Sequence, residues 1–145
     1  MPQVLPAAAV SMSPIGTTSN SDYFMVAPHI IVAAPRSGSV DDAASARENV
    51  QFQHAYARAL GRPCAVIVLL GSLSNQDAAA RRVYADQMDP SLVFATALVV
   101  NSALARAMGS FFLGLTKPRL ALGLFPSLDA CLPWIEAHAP RESRP

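Results

Sequence analysis

Residues 64–70 (CAVIVLL) and 92–100 (LVFATALVV) are two unbroken apolar runs, rich in β-branched side chains, and neither alternates with polar residues. That pattern belongs to strands covered on both faces, which occur where helices lie above and below a parallel sheet. Turn residues and a helical segment separate the two runs, so the connection is a crossover between strands of a mainly parallel sheet. The pair by itself directs the chain toward an α/β architecture.

The remaining segments fit around that pair. Residues 23–26 and 30–34 are short β-prone runs separated by Ala27-Pro28-His29, which predicts an N-terminal antiparallel hairpin. A helix is predicted over residues 40–60, with Asp41 and Asp42 in its first turn, where the helix dipole favours anions, and with Gly61 and Pro63 ending it. Ser74 and Asp77 have the S-x-x-D spacing of a capping box and predict a second helix over residues 78–88, ended by Asp89-Pro90. A third helix starts near Ser102. Its Leu104, Met108, Phe111, Phe112 and Leu115 form a core-facing stripe, and Lys117-Pro118 closes it. Residues 120–125 read as the last strand, and Ser127 caps a final helix that lines up Leu128, Cys131 and Ile135. The order is β-β-α-β-α-β-α-β-α. One domain over residues 22–139 is expected, with a four- to five-stranded, mainly parallel sheet, the N-terminal hairpin and flanking helices. Residues 1–21 and 140–145 are expected to be flexible tails.

Composition removes several classes of function. The chain of 145 residues is 52% hydrophobic and 14% charged, against about 25% charged in ordinary soluble domains, the reverse of a disordered chain's bias. Eleven basic and ten acidic residues give a net charge of +1. The arginines are dispersed without interleaved aromatics, so no nucleic-acid surface is expected. Residues 90–116 carry Arg106 as their single charge, but Asn101, Ser102, Gly109 and Ser110 interrupt them. A bilayer needs about 20 uninterrupted apolar residues, so no membrane span is expected. The apolar first twenty residues lack Lys and Arg and are broken by Pro2, Pro6 and Pro14, unlike a signal peptide. Cys64 and Cys131 sit in apolar surroundings without metal-ligand spacing, which suits free, buried thiols and a cytoplasmic protein.

Residues 99–102 (VVNS), 109–118 (GSFFLGLTKP), Leu124-Phe125 and 132–135 (LPWI) together resemble the bacterial SpoIIAA-like proteins with a STAS/SEC14-type domain. Their pattern is a strand ending VDSP, a helix reading GNFFLxLNKP, then RLF and EALxWL. The resemblance spans roughly residues 22–139 and implies a regulatory, protein-binding module related to anti-sigma-factor antagonists. It also implies a serine near the start of the second helix that can carry phosphate. Here that stretch reads Gly71-Ser72-Leu73-Ser74-Asn75, Asn101 stands for the family's Asp, and Pro133 falls inside the last helix.

Candidate functional residues are therefore few. Ser74, placed at a helix N-terminus, is an N-cap that could also hold a phosphate against free backbone N–H groups, and Ser72 is a second candidate. His29, His54 and His138 lie on different elements, and no nucleophile–base pair, metal set or phosphate loop is present; Leu115 stands where a P-loop needs Lys. No catalytic residue or cofactor is expected. The long helix has Ala43, Ala46, Val50 and Ala57 on one stripe and Phe52, Tyr56 and Ala59 nearly opposite. A helix apolar on two sides either sinks deep or offers a face, so Phe52 and Tyr56 are the candidate face for a protein partner or self-association. The alternative is a small apolar ligand, as SEC14-type domains hold, lined by Met108, Phe111 and Phe112.

Overall fold

The computed structural model describes residues 11–116 and 120–140, apart from the side chains of residue 109 and residues 111–116. The elements are β1 (Ser13–Thr17), β2 (Ser21–Ala27), β3 (Ile30–Pro35), β4 (Ser39–Asp41), α1 (Ala43–Leu60), β5 (Cys64–Leu69), a 3-10 turn (Leu70–Ser72), β6 (Leu73–Gln76), α2 (Ala78–Gln87), β7 (Val93–Val99), α3 (Ala103–Thr116), β8 (Leu122–Phe125) and α4 (Leu128–His138). Six strands form a mixed sheet in the order β1-β2-β3-β5-β7-β8, while β4 and β6 pair separately. The two diagnostic apolar runs are neighbours and parallel, with Val66 opposite Thr96 and Val68 opposite Leu98. The pairs β3–β5 and β7–β8 are also parallel; β1–β2 and β2–β3 are antiparallel.

The sheet exceeds the four to five strands expected because Ser13–Thr17 is the edge strand β1 and not part of a tail. Its Pro14 and Gly16 argue against a central strand, but both are tolerated at an edge, and the register slips between them. Residues 1–10 and 141–145 of the expected tails lie outside the described residues.

Alternation along the strands divides the core. Ile30, Val32, Ala65, Ile67, Ala95, Ala97 and Val99 pack with Leu128, Cys131 and Ile135 of α4. Ile31, Ala33, Cys64 and Val66 face the other way, onto Ala46, Val50 and Ala57 of α1 and Ala80 and Val83 of α2. Beside α2, α3 sets Ala105 and Met108 against Leu70, Leu73 and Leu98. Leu104, expected on the core stripe, is 57% exposed, and Ala105 takes the inward position. Pro133 is accommodated within α4 on its exposed side, where Asp129, whose carbonyl the proline leaves unpaired, also faces water.

Candidate functional site

The start of α1 decides where the site lies. Asp42 is the N-cap: its carboxylate accepts the Ser45 N–H, and Ser45 Oγ accepts the Asp42 N–H, closing a capping box. Asp41 therefore stands one residue outside the helix, in β4, at 5% exposure. The expectation that both acids sit in the first turn and compensate the dipole does not hold, because α1 begins at Ala43 and has no acid in that turn.

Buried there, Asp41 gathers donors from three elements and the β1–β2 turn. Oδ1 accepts from Ser45 Oγ and from Asn20 Nδ2 at 3.3 Å; Oδ2 accepts from Gln76 Nε2 at 3.1 Å and Tyr84 OH at 2.8 Å. Four donors match the about four lone-pair sites of a carboxylate. No cation pairs with it among the described residues. The network extends through Asn49, whose Nδ2 donates to Tyr84 OH and Asn20 Oδ1, and whose Oδ1 accepts from Tyr23 OH at 2.9 Å and Thr18 Oγ1 at 2.8 Å. Gln53 Nε2 donates to Tyr23 OH at 3.0 Å. Burial, reinforced by the nearby Asp41 charge, raises both phenols, Tyr23 and Tyr84, well above the usual tyrosine range, so they remain neutral donors.

Below this polar cluster the interior is not filled. A cavity whose volume, taken over the positions open to a water's centre, is about 50 Å³ lies between the sheet and α1 and α2. Asp41, Asn49, Gln53, Tyr23 and Tyr84 form its polar end, and Val68, Leu70, Leu73, Met88, Leu98, Leu120 and Leu122 form its apolar walls. A water needs about 10–15 Å³ and an apolar cavity that takes benzene about 150 Å³, so there is room for a few waters or an organic molecule of about three heavy atoms. Gln53 is 3% exposed, and its Oε1 has no protein partner among the described residues. On the outer side of the cluster a shallow groove runs past Ser19, Val40, Asp42 and Glu48. There the Ser19 N–H and side chain hold Glu48 below the usual carboxylate range.

The sequence-based candidates lie elsewhere. Ser74 is exposed in β6, and α2 is capped by Asp77, whose carboxylate accepts the Ala80 N–H at 2.8 Å. The expectation that Ser74 opens the helix fails because pairing with β4 holds residues 73–76 extended. Ser72 is half-buried in the 3-10 turn, its carbonyl accepting the Gly38 N–H. Gly71 beside it lies so near Asn101 that an added Cβ would be 2.5 Å from Oδ1.

Phe52 and Tyr56 are engaged within the fold. Phe52 stacks on Tyr23 with ring centroids 4.1 Å apart, and Gly16 of β1 admits its ring where a Cβ would be 2.8 Å away. Tyr56 OH donates to the Pro28 carbonyl at 2.7 Å. The second apolar stripe of α1 is thus covered in large part by the strands β1 and β2. Of the expected apolar lining, Met108 is buried beside α2, and the side chains of Phe111 and Phe112 lie outside the described residues.

The histidines stay apart: His29 contacts Glu136, His54 accepts the Asp89 N–H, and His138 meets the Trp134 carbonyl. Among the described residues no group of three or more His, Cys, Asp or Glu is placed to hold a metal. Cys64 and Cys131 are free, and burial pushes each thiol up to about 12.

The polar residues of the cluster were missed because they are scattered from Thr18 to Tyr84. One signal was available. Ser45, Asn49 and Gln53 recur every four residues on α1, directly beside the apolar stripe of Ala46, Val50 and Ala57, which places polar groups within the buried arc.

An α/β domain with a partly polar cavity between sheet and helices is the class that fold and site define. Over residues 24–139 the chain matches the family described as Domain of unknown function (DUF7793), and it belongs to that family. No curated protein and no solved structure matches the chain. Among the described residues, no helix is long and apolar enough to cross a membrane.

Proposed function

We propose that this domain is a non-catalytic, cytoplasmic binding module that takes a small, largely apolar molecule into the cavity beneath the Asp41 network. The observation that carries the reading is the cavity itself, with apolar walls and a built polar end. Binding sites for small molecules have this composition: hydrophobic walls with a few fixed polar groups that set orientation. The resemblance to SpoIIAA-like, STAS/SEC14-type domains supports it, since SEC14-type domains hold apolar ligands. A regulatory role through a partner protein is the other property that resemblance carries, but the Phe52–Tyr56 face favours it less, being occupied by Tyr23 and Pro28.

The test is a titration of the isotope-labelled protein with ethanol, followed by amide NMR. Saturable shifts at Val68, Leu70, Met88 and Leu98, with Ile67 and Ile135 unmoved, are expected. Shifts that fail to saturate, or none at the lining residues, would overturn the reading.

A further inference from the structure

The hydrogen bonds around the cavity have one direction, and Asp41 sets it. A carboxylate only accepts, so Tyr84 must give its proton to Asp41 Oδ2. The Tyr84 oxygen is then left to accept, and it does so from Asn49 Nδ2, which turns Asn49 Oδ1 toward Tyr23. Tyr23 spends its proton there and accepts from Gln53 Nε2. The relay ends at Gln53 Oε1, a buried acceptor without a protein donor among the described residues, on a residue that lines the cavity. Reversing the Gln53 amide would set Oε1 against a Tyr23 oxygen whose proton is already committed, so the orientation is fixed from the far end.

We infer that the cavity selects a small neutral molecule with one hydrogen-bond donor, an O–H or N–H given to Gln53 Oε1, and an apolar body lying against Leu70, Leu98 and Leu122. This rests on the reading of the cavity as a ligand site. An acceptor-only molecule would leave the Gln53 oxygen unpaired and place a second acceptor near it, the costly arrangement in a buried site. A cation finds no carboxylate lone pair free, because four protein donors occupy Asp41. A bare charge in apolar walls is strongly disfavoured.

The probes are ethanol, propane and acetonitrile, each of three heavy atoms, with a donor, no polar group and an acceptor respectively. Affinities come from amide NMR titrations of the intact protein, with propane under pressure. Ethanol is expected to bind at least tenfold more tightly than acetonitrile. In Gln53→Leu the ratio of ethanol to propane affinity is expected to fall at least tenfold while propane still binds. If ethanol and acetonitrile bind the native protein equally, or if the ratio is unchanged in Gln53→Leu while propane binds, donor selection is wrong and the ligand site stands. If none of the three binds, the cavity holds only water and both readings fall. Should Gln53→Leu not fold, the ethanol–acetonitrile comparison on the native protein decides the question alone.

Discussion

Beneath α4 the sheet presents Ile30, Val32, Ile67, Ala97 and Val99 to Leu128, Cys131 and Ile135, with Phe24, Phe94, Phe125 and Trp134 packed around them, and the cluster is apolar throughout. Beneath α1 and α2, alternate residues of the same strands meet Asn49, Gln53, Tyr23 and Tyr84 and leave a cavity. The strands are nearly symmetric in apolar character, so the difference comes from the helices and from what β4 delivers. An apolar interface tolerates exchange of one apolar shape for another of equal volume. A directional network does not, because each member fixes the proton of the next. The α4 face thus contributes stability, and the opposite face contributes shape and polarity that can discriminate.

The largest effect is expected from Asp41→Ala, which strands buried donors on Asn20, Ser45, Gln76 and Tyr84. A loss of about 4 kcal/mol in urea denaturation is expected, and a loss below about 1 kcal/mol would mean that water replaces the carboxylate and the network is not structural. Ile135→Ala, on the apolar α4 side, should cost about 3 kcal/mol by the same measurement. Ethanol affinity at the far cavity should be unchanged in that variant; a change of tenfold would show that the two faces are coupled. Tyr84→Phe removes one link of the relay and should cost about 1.5 kcal/mol.

Smaller effects test the start of α2. Asp77→Ala should cost about 1 kcal/mol, whereas Ser74→Ala should stay within about 0.5 kcal/mol, since only Asp77 caps the helix. Equal losses would restore Ser74 as the cap. The weakest prediction concerns pH. Partial burial, with Arg58 nearby, lowers the His54 pKa below its ordinary value of 6.5. The folded state then resists protonation that the unfolded state accepts, so stability is full above pH 6.5 and declines below it. Chemical denaturation of His54→Gln between pH 7.5 and 5.5 should show a flatter decline than the native chain.

Much of this architecture could be read from residue patterns. The runs at 64–70 and 92–100, the hairpin and the four helices follow from periodicity and from Gly, Pro and capping residues, all local signals. The parts that could not be read are short or polar. SPIGT lacks the apolar alternation of a strand and forms one because β2 offers an open edge. SVD and LSNQ are too brief for any period, and they are extended because they pair with each other. The site suffered most from this, because assigning β4 to α1 moved Asp41 from the interior to a helix turn. A three-residue error in a helix start, residue 40 expected and Ala43 found, separated a surface acid from the anchor of a buried network. The Ser74 assignment failed for the same reason, a long-range ladder overriding a local capping motif.

The β4–β6 ladder lies just beyond the carboxyl ends of β3 and β5, with Ser39 opposite Leu73 and Asp41 opposite Gln76, and the Gly38 and Asp77 N–H groups extend it at either end. It stitches together two loops that in many α/β domains stand apart and leave an open mouth. Asp41, Leu73 and Gln76 of this ladder are part of the cavity wall, so passage on that side requires main-chain strands to separate and not merely side chains to rotate. Exchange through it would follow local unfolding, in microseconds to seconds, where rotamer changes take nanoseconds. The ladder is therefore a kinetic element: a guest leaving by that route would dwell for a time governed by the backbone pairing of six residues, whatever its affinity for the leucines and the glutamine within.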